Sequence, residues 1–271
     1  KTLAPEIVQL QEELFYLCSI GKSPNKEPPS TSKQDQKLKE LESVEPSKNK
    51  EKESERQAQI AQAQKEKQHI LDEYILSCIQ EFCSKGAILN ICDDQGTTPL
   101  HSLSMLGAPK TIQWCLENGA KTEVRGYDGA TPLWCAASGR EDACIEVLAS
   151  FGAQANVTNR EGESALYISA VKMRHPASVK VLLKHGAQVT EDLLLKAATR
   201  PENPSVRNME AALDILASLL RQKNDLQYTS FNSAGDNAIL YAFKCWRDAF
   251  QLIWSLTHAN IKEIQPNQFN Q

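Results

Sequence analysis

Glycine-alanine pairs return along this chain at a fixed interval. Gly86-Ala87, Gly119-Ala120 and Gly152-Ala153 lie 33 residues apart, and Gly186-Ala187 follows at 34. Gly96, Gly129 and Gly162 keep the same interval of 33, as do Pro99, Pro132 and Ala165. A period in the range of about 20 to 50 residues means that one supersecondary unit is stacked repeatedly. Each unit then buries its apolar stripe only against its neighbours. The pattern replaces the one large core, or two ordinary domains, that 271 residues would otherwise suggest.

The chemistry inside one period defines the unit. In QGTTPLHSLSMLG, Thr98 can cap a helix and Pro99 takes its first position, where a missing N–H costs nothing. The pair recurs as Thr131-Pro132. Leu100 and Leu103 share one face of that helix, as do Leu133, Ala136 and Ala137 one period later. A second helix places Ile112 and Leu116 inward, then Ile145 and Leu148. Gly119, Gly152 and Gly186 end these second helices, where a left-handed cap is needed. The stretch AKTEVRGYDG that follows is polar and suits a projecting finger. Each unit is therefore a helix–turn–helix with a finger.

Thr-Pro-Leu-His at 98–101 and Thr-Pro-Leu-Trp at 131–134, each with Gly-Ala 21 residues after its threonine, resemble ankyrin repeats. Three units fit well: 93–125, 126–158 and 159–191. The last has Ser164-Ala165-Leu166-Tyr167 for the tetrapeptide and one extra residue near His175-Pro176. The resemblance implies an all-α solenoid of about five to six such units, with the outer ones degenerate. Residues 1–95 read as a degenerate first unit with helices at 6–20 and 70–82, because SKGAILNICDD is similar to a repeat ending. Residues 192–263 read as two more degenerate units, with DLLLKAAT, MEAALDILASLL, GDNAILYAFKCW and FQLIWSL as helices and TRPENP as an insert. Residues 264–271 are a tail.

Segment 22–68 would then be an insertion between the two helices of the first unit. It holds 11 basic and 9 acidic side chains but only seven apolar ones. Such a composition buries too little apolar surface to offset its ordering entropy, so it reads as a solvated spacer. From about Ser47 it has good helix formers and no proline, which predicts a solvated helix leading into Ile70–Phe82.

Several function classes drop out. A net charge of −4 lacks the basic excess of a dedicated nucleic-acid binder. No run approaches the roughly 20 apolar residues of a membrane helix. The chain begins at Lys1 without a leader pattern and reads as a piece of a longer protein. Its eight cysteines (18, 78, 83, 92, 115, 135, 144 and 245) show no C-x-x-C or zinc spacing, so they read as reduced thiols in a cytoplasmic setting. No Walker A loop, G-x-G-x-x-G, H-E-x-x-H or G-x-S-x-G occurs. Cys135 and His101 lack a marked carboxylate or oxyanion hole to make a nucleophilic site. His101 reads as a hydrogen-bonding residue, and Trp134 and Tyr167 in the same slot as packing. The expectation is a non-enzyme with no cofactor, metal or small-molecule substrate.

In ankyrin-repeat proteins the finger tips and the exposed end of each first helix line a concave face for partners. By resemblance, those positions are Asp94, Gln95, Thr97, Met105 and Leu106, then Tyr127, Asp128, Ala130, Ser138 and Gly139. In the third unit they are Arg160, Glu161, Glu163, Val171 and Lys172. Met105, Leu106 and Tyr127 would form an apolar-aromatic spot beside acidic fingers carrying Arg160, and aromatic and arginine anchors are the usual carriers of interface energy. The other surface open to a partner is the helix-turn side, where the insertions cluster. The function implied is a non-catalytic module that binds a polypeptide. The alternative is a substrate-recruiting domain of a larger enzyme, with Trp246, Phe250 and Trp254 as either a terminal cap or a docking face for its catalytic domain. Lysine outnumbers arginine 21 to 9, and Gln and Asn number 20 and 14, a profile similar to ankyrin proteins that intracellular bacteria deliver into host cells. That likeness implies a host protein as target and host cytosol as the working compartment.

Overall fold

A computed structural model describes residues 5–21, 26–44, 50–197 and 206–222. The chain divides into two compact units, 1–154 and 155–271. The described residues contain no β-strand; an isolated antiparallel bridge joins Thr158 and Ser164. Five helix pairs are formed among them.

In the first unit, α1 (Pro5–Ile20), α4 (Pro99–Leu106) and α6 (Pro132–Gly139) lie side by side as one layer. The second layer is the end of α3 (Lys50–Ser84), then α5 (Pro109–Glu117) and α7 (Asp142–Ser150). The predicted inward residues meet between the layers: Leu100, Leu103, Ile112, Leu133, Ala136, Ile145 and Leu148 are all buried. Leu14 and Leu17 of α1 and Ile75, Ile79 and Phe82 of α3 continue that core toward the chain start. Gly119 and Gly152 take the left-handed conformation, φ 86° and 85°, that a side chain would strain.

The helix expected over 70–82 is the end of a single 35-residue helix, α3. The charged segment also holds a second helix, α2 (Ser32–Ser43), packed back along α3, where composition alone pointed to a spacer. No side chain of α2 is fully buried. Polar contacts seat it: Lys67 reaches Asp35 at 2.6 Å, and Arg56 donates to the carbonyls of Leu41 (2.8 Å) and Val44 (3.1 Å). Ala63, between those two anchors on α3, is fully buried. A stretch this poor in apolar residues does not order as an isolated chain, but α3 supplies it with a preformed rail.

The second unit contains α8 (Ala165–Tyr167), α9 (Pro176–Lys184), α10 (Glu191–Ala197) and α11 (Val206–Gln222). The extra residue of the period is absorbed just after α8, where Ile168–Lys172 widens into a π-turn and Met173 N–H reaches back five residues to the Ile168 carbonyl at 2.8 Å. Leu182 of α9, Leu193 and Leu194 of α10, and Ile215, Leu216 and Leu219 of α11 are buried. The insert TRPENP, the expected helices GDNAILYAFKCW and FQLIWSL with Cys245, Trp246, Phe250 and Trp254, and the tail lie outside the described residues.

Candidate functional site

Three fingers are closed by one backbone bond repeated at the period. Asp93 N–H donates to the Thr97 carbonyl (3.0 Å), Gly126 N–H to Ala130 (2.8 Å) and Asn159 N–H to Glu163 (3.0 Å). In the outer two, the first side chain also holds the tip. Asp93 Oδ1 accepts from the N–H groups of Gln95 (2.9 Å) and Thr97 (2.8 Å), and Asn159 Oδ1 from those of Glu161 (3.0 Å) and Glu163 (2.8 Å). The middle finger has Gly126 there because His101 occupies the space. A Cβ on Gly126 would come within 3.0 Å of His101 Nε2.

His101 ties a helix start to the next finger. Its Nδ1 accepts the Thr98 N–H at 3.1 Å and lies 2.8 Å from Thr98 Oγ1. The ring proton therefore sits on Nε2, which faces the carbonyls of Val124 (3.1 Å) and Ala130 (3.2 Å). Burial holds its pKa below the ordinary histidine value, partly countered by those two carbonyls. With both nitrogens engaged, His101 has none to offer a substrate. Burial also pushes the Cys135 thiol up to about 12, and a thiol protonated at neutral pH is a poor nucleophile. Cys18, Cys115 and Cys144 are likewise buried and pushed up, by desolvation first. Among the described residues no group of three or more His, Cys, Asp or Glu is placed to hold a metal ion.

The expected binding positions separate into exposed and committed ones. Tyr127 is the most exposed large apolar side chain among the described residues at 69%, and Met105 follows Val44 at 52%, level with Tyr16. Asp94 and Gln95 are exposed at the first finger, and Arg160 and Glu161 at the third. Asp128 and Ser138 are half-buried, with Asp128 at φ 55° inside the short 3-10 turn Tyr127–Gly129. Leu106 is half-buried, its Cδ2 turned against Gly21 beside Leu71. Ala130 is buried, and Gly139 abuts the Met105 backbone so closely that a Cβ would lie 2.8 Å from the Met105 carbonyl oxygen. Glu163 is only 9% exposed and accepts an ion pair from Lys172 at 2.7 Å, while Lys172 also lies 3.6 Å from Glu161. His101, at the first turn of α4, meets the finger that carries Tyr127, and Met105 sits one turn further along α4.

Residues outside the sequence expectation hold this surface in place. Buried Gln11 clasps Ile88, donating to its carbonyl (2.9 Å) and accepting its N–H (3.0 Å), which locks α1 to the loop after α3. From α3, Gln68 donates to the carbonyls of Leu106 (2.7 Å) and Gly107 (2.5 Å) at the end of α4. One turn on, Asp72 accepts the N–H groups of Lys110 (2.8 Å) and Thr111 (3.0 Å) at the start of α5. A glutamine or aspartate within a polar helix carries no sequence signal of such a role.

Residues 105–192 match a family model described as ankyrin repeats in three copies. Over 103 residues the chain is 38% identical to neurogenic locus notch homolog protein 1 of Mus musculus, covering 38% of this chain and 4% of that protein. Over 128 residues it is 28% identical to NF-kappa-B inhibitor delta of Mus musculus, covering 45% of this chain and 38% of that protein. Rabankyrin-5 of Homo sapiens is 29% identical over 99 residues, or 36% of this chain and 8% of its own length. The chain thus spans only a minor part of each of these relatives.

Proposed function

We propose, from the premise that residues 105–192 of this chain are ankyrin repeats, that it is a non-catalytic module binding a polypeptide partner through its fingers and first-helix ends. Such repeats generally mediate protein–protein interaction, and one relative is named for inhibiting NF-kappa-B. The observation that carries the reading is the contrast at the finger side. The finger backbones are fixed by repeated hydrogen bonds, yet Asp94, Gln95, Tyr127 and Arg160 project from them into solvent. A rigid backbone presenting exposed aromatic and charged side chains binds without a large ordering cost. Glu163 and Lys172 serve as finger struts, and Leu106 as packing, so the binding set narrows to Asp94, Gln95, Met105, Tyr127, Asp128, Ser138, Arg160 and Glu161. The finer reading, a bacterial effector working on a host protein in host cytosol, is supported by the lysine, glutamine and asparagine bias of the composition.

The test is affinity capture from cytosolic extract, followed by titration of the captured protein. Tyr127→Ala combined with Met105→Ala is expected to weaken binding by more than about 1 kcal/mol. Undiminished binding by that double variant removes these two positions from the interface.

A further inference from the structure

Helix α3 is longer than its repeat requires. At the 33-residue register Leu76 aligns with Pro109, the first residue of α5, so residues 50–75 overshoot the place where a second helix would begin. The overshoot runs beside the α4–α5 turn, where Gln68 and Asp72 use up the free carbonyls and amides. At the following turn, between α6 and α7, α3 stands off and leaves a cleft of about 650 Å³. One wall is Gln62, Lys65, Glu66 and His69 of α3; the other is Glu141 and Asp142. Gly107, Pro109 and Ala143 give it an apolar floor.

The chemistry of this cleft is lopsided. Glu141 is half-buried, its carboxylate set into the space left by Gly107, where a Cβ would collide with it. That carboxylate makes no hydrogen bond or ion pair with any described residue, and burial together with neighbouring Asp142 pushes the Glu141 pKa up. The nearby cation Lys110 is committed to Glu73 at 2.9 Å. Of the carboxylates lining the cleft, Asp72 caps α5 and Glu66 accepts one bond from Gln62 at 3.0 Å, so Glu66, Glu141 and Asp142 face Lys65 as the one lining lysine not committed to Glu73. A small cation would satisfy the charge and leave the floor uncovered. A lysine or arginine side chain satisfies both, because its alkyl stem covers apolar surface while its head stays charged.

We propose that this cleft is a docking groove for a polypeptide segment bearing an arginine or lysine, whose cation enters between Glu141 and Asp142 on one wall and Glu66 on the other. The groove belongs to the helix-turn side and is independent of the finger surface. The test uses pools of random nonapeptides with a fixed central Arg, Lys, Glu or Leu, each titrated against the full chain. The Arg and Lys pools are expected to bind about tenfold more tightly than the Glu and Leu pools. The preference should disappear in the Glu141→Gln/Asp142→Asn double variant and in Ala143→Arg, which fills the groove with a cation of its own. It should persist in Tyr127→Ala, so failure of the finger reading leaves it untouched. Thermal melting checks the fold: Glu141→Gln removes an unpaired carboxylate and is expected to melt no lower than the parent at pH 7. Equal binding of the four pools, or a basic preference that survives both variants, overturns the proposal.

Discussion

At α4 and α6 the helix starts are satisfied from within their own few residues. Thr98 N–H and Oγ1 meet His101 Nδ1, and Thr131 Oγ1 accepts the Trp134 N–H at 3.3 Å. Around α1 and α3 the partners come from far along the chain. Gln11 reaches Ile88 across 77 residues, Gln68 reaches Leu106 across 38, and Asp72 reaches Thr111 across 39. Both regions build the same two-layer pairing of helices, so the architecture does not depend on where its polar ends find partners. What differs is the code. Short-range caps can be copied from unit to unit and generate a visible period, whereas a cap donated by a neighbour works only at the one place where that neighbour is held. The start of the stack has traded the first kind for the second.

Removing Asp72 breaks this contrast most severely. Asp72→Ala leaves the Lys110 and Thr111 amides without their acceptor, and the Thr111 hydroxyl, which donates to the Asp72 carboxylate at 2.6 Å, keeps only the residue-72 carbonyl at 3.1 Å. The expected loss in urea unfolding is about 2–3 kcal/mol, since buried donors are stranded beside a lost charged acceptor. A loss below about 0.5 kcal/mol would mean that α5 caps itself as α4 does.

His101 gives the matching test on the short-range side. An unfolded histidine takes up its proton near 6.5, whereas the folded ring resists until lower pH. Between those two values the unfolded state holds more protons, so stability rises with pH and is lost as pH falls below about 6.5. His101→Gln should cost about 1–2 kcal/mol at pH 7 and flatten that acid limb relative to the parent. Parallel curves for the two proteins would deny that the buried neutral ring contributes.

Gln68→Ala is the mildest case. The end of α4 loses one amide donor, and water can reach part of the vacated cleft, so the expected cost is about 1 kcal/mol. Its signature is faster hydrogen exchange at Ala108, whose N–H is held by the Leu103 carbonyl at 3.3 Å, with the α6 amides unchanged. If exchange at Ala108 is unaltered, α3 rests on this turn without supporting it.

Much of the fold was legible because its information is local. Thr98-Pro99, Thr131-Pro132, Gly119 and Gly152 each act within a few residues, and the apolar positions between them follow the helical period. The finger positions were legible for the same reason, but their roles were only partly so. Glu163 and Leu106 look from sequence like Asp94 and Met105, and three-dimensional neighbours turned them into a strut and a packing residue. Gly126 reads as a turn glycine until His101, 25 residues earlier, is seen filling the space of its missing side chain.

By itself, the sequence determined the unit, its helix caps over 93–158 and the places of the fingers, because capping, glycine conformation and helical periodicity act over a few residues. Tertiary structure decided how the charged segment is used. A run rich in Lys, Glu and Gln has no apolar pattern to say what it touches, and only the fixed position of the α4–α5 turn makes Gln68 and Asp72 its caps. The cleft beyond that turn exists for the same reason: one helix begins well before the residues that its own repeat requires.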